Sequence, residues 1–117
     1  MTAPTLADIE IVSGETPDDI LWTFNASITG MVVRVGVGTA EGDTSLAQWH
    51  SDGASPALLI AANGLSVSIS PTVVTSAVTA AWAARSYRYE LWIKSGSTDH
   101  PYYYGSWRVR AGQRVAP

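Results

Sequence analysis

The sequence predicts an all-β fold, an antiparallel β-sandwich of about seven or eight strands with one short helical crossover. Three observations predict it. Apolar and polar residues alternate along several short segments, small clusters of Gly, Asn, Asp and Ser separate these segments, and a single stretch changes from a period of two to helical spacing. No strand–helix–strand repetition of the kind that builds a parallel sheet is present.

Taken in order, residues 9–12 place Ile9 and Ile11 on one face, and residues 20–26 do the same with Ile20, Trp22 and Phe24. Residues 31–37 do so with Val33, Val35 and Val37, and further strands are expected at 46–50 and 57–61. Alternation is clearest over 65–70, where Leu65, Val67 and Ile69 oppose Ser66, Ser68 and Ser70. Asn63-Gly64 stands between two apolar runs and predicts a hairpin closed by a two-residue type I′ turn, which needs positive φ at both positions. Ser13-Gly14-Glu15, Thr29-Gly30 and Asp52-Gly53 are further turn signals. Over residues 72–84, Val74, Ala77, Val78, Ala81 and Trp82 fall at helical spacing, with Ser70 as the N-cap and Pro71 at the first helical position. Strands over 87–94 and 102–110 complete the set. The expected core is Ile11, Trp22, Phe24, Val33, Val35, Val67, Ile69, Tyr89, Leu91 and Trp107. Tyr87 is expected to form a tyrosine corner, its hydroxyl bonding backbone in the helical crossover, which makes the sandwich immunoglobulin-like.

At 117 residues and 46% hydrophobic, the chain is expected to form a single domain over 1–117, with its core at about 8–111 and flexible ends at 1–5 and 113–117. With no Cys there is no disulfide framework and no thiol chemistry. The longest apolar run, 56–62, is too short for a membrane span, and the first twenty residues hold five acids and no Lys or Arg, so neither a transmembrane helix nor a signal peptide is expected. A net charge of −3 argues against general binding to nucleic acid or an anionic membrane. The charge is divided along the chain: residues 1–58 hold eight acids and one base, residues 59–117 two acids and six bases. If the first and last strands lie side by side this neutralises itself within one chain, and in an assembly it favours contacts between subunits.

Chemistry-bearing patterns are sparse. His50 with Asp52, and His100 with Asp99, lie in no catalytic motif, and Gly36-Val37-Gly38 lacks the third glycine and the Lys-Ser/Thr of a phosphate loop, so no catalytic residue and no cofactor are expected. Asp18-Asp19 and Glu41/Asp43 read as turn formers, without the regular spacing of a calcium loop, so no metal is expected either. Asn25-Ala26-Ser27 fits the glycosylation tripeptide but falls on an expected strand. The aromatic residues say more. Alternation over 87–94 sends Tyr87, Tyr89, Leu91 and Ile93 inward and leaves Trp92 outward beside Arg88, Glu90 and Lys94. Over 102–110 it sends Tyr103, Trp107 and Val109 inward and leaves Tyr102, Tyr104, Ser106, Arg108 and Arg110 outward. Trp92, Tyr102, Tyr104, Arg108 and Arg110 are therefore the candidate partner-binding residues, an aromatic patch edged by Arg.

The segment Trp82-Ala83-Ala84-Arg85-Ser86-Tyr87-Arg88-Tyr89-Glu90-Leu91 resembles the end of a small phage-tail β-sandwich, the N-terminal domain of siphophage baseplate upper proteins and related tail-fibre attachment modules. Ser13-Gly14-Glu15-Thr16 followed by Leu21-Trp22-Thr23-Phe24 resembles that family's opening, and Ile28-Thr29-Gly30-Met31-Val32-Val33-Arg34-Val35 its valine-rich strand. The stretches 72–84 and 102–110 are similar to its helical crossover and its closing strand, with Gly105 in place. The sequence departs from the family in having Arg85 where Gly is common and no long fibre segment after the last strand. The resemblance implies a non-enzymatic virion protein, an assembly module that binds other tail, baseplate or collar proteins, forms a homo-oligomer in the particle and is made in the host cytoplasm. Two other roles stay open: a capsid decoration or head-fibre protein of the same fold, and a carbohydrate-binding module in which Trp92, Tyr102 and Tyr104 stack on a host glycan.

Overall fold

The computed structural model of the chain describes residues 5–12, 14, 20–39, 46–53, 56–70 and 72–110. The acid pairs Asp18-Asp19 and Glu41/Asp43, the expected turn residues Ser13 and Glu15, and Pro71 lie outside the described residues. In chain order the elements are β1 (Thr5–Leu6), β2 (Ile9–Val12), β3 (Leu21–Thr23), β4 (Val32–Gly38), β5 (Ala47–His50), β6 (Leu58–Ile60), β7 (Ser66–Ile69), α1 (Ser76–Ala80), β8 (Arg85–Ser95) and β9 (Thr98–Arg110). They form two layers, as an all-β sandwich requires. The larger sheet runs β5-β4-β8-β9, with β1 and β2 both paired to the far edge of β9, and the smaller runs β3-β7-β6.

Pairing is antiparallel throughout except at the N-terminal strands, which run parallel to β9 with Ile9 opposite Trp107 and Val12 opposite Arg110. This corrects the expectation of a purely antiparallel fold. A parallel neighbour cannot be reached by a tight turn, and the connection here is nearly the whole chain, so local sequence carries no mark of it. Its consequence is electrostatic. The acidic start of the chain lies beside its basic end, and Glu10 Oε1 accepts from Arg110 at 2.8 Å within one molecule.

The inward faces bury one continuous core, and nine of the ten expected core residues are in it. Phe24 is only partly buried and packs against the core from the end of β3. Its centre is aromatic. Trp107 is fully buried and touches Trp49 (5.5 Å between ring centroids), Tyr89 (5.9 Å) and Trp82 (6.0 Å), while Tyr89 meets Trp22 of the opposite sheet at 5.7 Å. Trp22 Nε1 donates to the Tyr89 hydroxyl at 3.1 Å, and that hydroxyl donates in turn to the carbonyl of Ala7. Burial pushes the Tyr89 hydroxyl up to about 12, with the Trp22 hydrogen bond opposing the shift.

Several local readings are corrected. The β6–β7 hairpin exists, but only Gly64 has positive φ (+71°), its amide donating to Ala61 O at 2.8 Å, so the link is longer than a two-residue type I′ turn. Leu65 consequently lies in that link and is exposed, not inward. The helix is shorter than 72–84: Thr75, not Ser70, caps it, accepting from the Val78 amide at 3.4 Å. Val74 and Trp82 are buried on either side of it. Asn25 lies past the end of β3 in an exposed loop. The tyrosine corner is present, with the Tyr87 hydroxyl donating to Ala83 O at 2.9 Å.

Candidate functional site

The candidate site is the outward face of β8 and β9, and the pleat creates it. Along β8, Tyr87, Tyr89, Leu91 and Ile93 are buried, which turns Ser86, Arg88, Glu90, Trp92 and Lys94 the other way. Along β9, Trp107 and Val109 are buried, and Tyr104, Arg108 and Arg110 are exposed. Cross-strand register then fixes neighbours: Trp92 faces Arg34 on β4 and Pro101 on β9, Glu90 faces Tyr104, Arg88 faces Ser106, and Ser86 faces Arg108.

Between Leu91 and Trp92 the register shifts: Leu91 pairs with Tyr103 but Trp92 pairs with Pro101, so Tyr102 is the extra residue of a β-bulge. Proline is tolerated there because a bulge interrupts the ladder. Tyr102 is 40% exposed, and its ring meets Phe24 edge-on at 5.7 Å. Phe24 meets Tyr103 at the same distance, and the Tyr103 hydroxyl donates to Thr23 O. Tyr102 and Tyr103 thus clasp the end of the smaller sheet.

Trp92 is half-buried on the outward face, and its Nε1 donates to Glu90 Oε2 at 2.8 Å. An ion pair between Arg34 and Asp99, 3.2 Å, spans β8 beside it. Tyr104, 37% exposed, stands between Glu90 and Leu6, and Leu6 is the most exposed large apolar residue described, at 59%. Leu6 is a member of the patch that the sequence reading did not include, because β1 falls where a loose chain end is expected; no local signal marks a two-residue strand. Arg108 is exposed beside Glu10 and Ser86, and Arg110 is held by Glu10 of the same chain.

Gly105 explains how the acidic N-terminal segment reaches this face. A Cβ there would lie 2.6 Å from Ala7 O and 2.8 Å from Asp8 Oδ1, so only glycine lets the chain cross so closely. Asp8 Oδ1 accepts from the Ser106 amide at 2.9 Å, replacing a ladder partner where β1 gives way to β2. His50 is exposed on β5 and His100 lies on β9 opposite Ile93; among the described residues no hydrogen bond or ion pair joins either to a carboxylate.

No family model matches the chain, and no curated protein matches it.

Proposed function

We propose that this chain is a structural assembly module of a tailed-bacteriophage particle, docking on neighbouring tail, baseplate or collar proteins through the outward face of β8 and β9. The observation that carries the docking role is the row Leu6–Tyr104–Glu90 with Trp92 beside it, which leaves apolar and aromatic surface in water on a regular sheet face. Trp, Tyr and Arg are the residue types that dominate interface hot spots, and a β-sheet holds them in fixed positions at small entropic cost. The phage assignment rests on the sequence resemblance over residues 9–110.

The test is to purify particles of the phage that encodes this chain and to locate the protein in them. The proposal expects a fixed copy number per particle at the tail or baseplate. A protein confined to the head surface would replace it with the capsid-decoration role, and a protein missing from purified particles would overturn it.

A further inference from the structure

β5 is the free edge of the larger sheet, and its backbone is open there. The Ser51 amide donates to Val33 O at 2.9 Å, and the register that sets Val35 opposite Trp49 then places the β4–β5 ladder bonds at Trp49 and at every second residue from it. Gln48 and His50 therefore turn their amides and carbonyls away from β4. Both residues are exposed, and no hydrogen bond reaches these four groups among the described residues. Folded chains guard such an edge with charge, proline or a covering element, yet residues 44–51 hold no Asp, Glu, Lys, Arg or Pro. The other edges each carry a guard. β1 and β2 close β9 and bring Asp8 and Glu10 to that edge, and the Tyr103 hydroxyl occupies Thr23 O at the edge of β3. On β6, Leu58 turns its backbone outward but is only 1% exposed.

We infer that β5 pairs antiparallel with β5 of a second copy of this chain, about a twofold axis through Trp49. In that register Gln48 meets the partner's His50 and His50 meets the partner's Gln48, so every open amide finds an open carbonyl and four hydrogen bonds form. Directly opposed residues share a face of the sheet. Trp49 stays inward beside the partner's Trp49, which carries the aromatic cluster of Trp82 and Trp107 across the axis, while Gln48 and His50 stay outward. A second copy fits better than an unrelated strand because the edge is its own complement: the twofold uses all four open groups and sets no like charges opposite one another, and the edge has no charge by which a different partner would be selected. The inference does not rest on the assembly role, since the edge pairing leaves the outward face of β8 and β9 free.

The experiment is sedimentation velocity on the whole chain from about 10 μM to about 1 mM, with amide hydrogen exchange measured at both ends of that range. A contact of one short strand is small, so a dimer is expected toward the upper end. The amides of Gln48 and His50 should gain protection as concentration rises, and that of Gly96 in the β8–β9 turn should not. Gln48→Pro removes an edge donor without touching the β4 ladder, and His50→Lys brings a like charge to each side of the axis; each should raise the dissociation constant about tenfold or more. Leu59→Ser, on the outward face of the smaller sheet, should leave it unchanged. If Gln48→Pro fails to fold, His50→Lys decides, because that side chain is exposed. A monomer throughout the range, a dimer that His50→Lys leaves intact, loss of the dimer in Leu59→Ser, or a dimer without added protection at Gln48 and His50 would overturn the inference. Species that grow past the dimer would overturn it in favour of open-ended strand addition.

Discussion

Trp107 and Arg108 are neighbours in sequence, yet Trp107 is fully buried against Trp49, Trp82 and Tyr89 while Arg108 stands in solvent on the opposite face of the same strand. The contrast runs the length of β8 and β9. From Tyr87 to Ile93 on β8 and at Trp107 and Val109 on β9 the inward residues are apolar or aromatic and join the core, whereas the outward ones are charged, aromatic or serine and meet no second layer of this chain among the described residues. Substitutions on the two faces should therefore be read by different measurements, the inward ones by stability and the outward ones by binding.

The sharpest way to break that division is Trp107→Ala. Loss of the ring at the meeting point of four aromatic residues should cost about 3–5 kcal/mol in chemical denaturation, and a loss below about 1 kcal/mol would remove Trp107 from the centre of the core. Gly105→Val comes next, because its side chain would displace Ala7 and Asp8 from β9. About 1–3 kcal/mol should be lost, with faster amide exchange in residues 5–12 and little change in β4.

Tyr89→Phe should cost about 1–3 kcal/mol by stranding Trp22 Nε1 and the Ala7 carbonyl. It also has a pH signature. The folded chain keeps its Tyr89 proton until about 12 and the unfolded chain releases it near 10.0, so the unfolded state binds fewer protons between those values. Stability contributed by Tyr89 is full below pH 10 and falls as pH rises toward 12, so the gap between parent and Tyr89→Phe should narrow across that window. A constant gap would contradict the buried-hydroxyl account. On the outward face, Arg110→Ala removes only a half-exposed ion pair and should change stability by about 0–1 kcal/mol, less at high salt.

Most of the layered arrangement is legible in the sequence because period-two alternation reports burial directly: Val33, Val35 and Val37 are inward and fully buried, and Trp92 is turned away from them. The charge division likewise foreshadows the meeting of the two chain ends. What alternation cannot report is contact at long sequence separation. Trp49 and Trp82 join Trp107 from β5 and from beyond α1, and each lies in a segment whose local pattern gives no partner. The parallel docking of β1 and β2 is hidden for the same reason, and with it the place of Leu6 in the outward patch. The bulge at Tyr102 illustrates a second limit: one extra residue redirects a ring that strict alternation places in line with Trp92.

The proposed docking role requires that the outward face bind a partner and contribute little to folding. The double substitution Trp92→Ser with Tyr104→Ser tests it most directly when melting and incorporation into particles are measured on the same protein. The account predicts stability within about 1 kcal/mol of the parent and incorporation lost. Unfolding of the variant, or a folded variant that enters particles as the parent does, would contradict it.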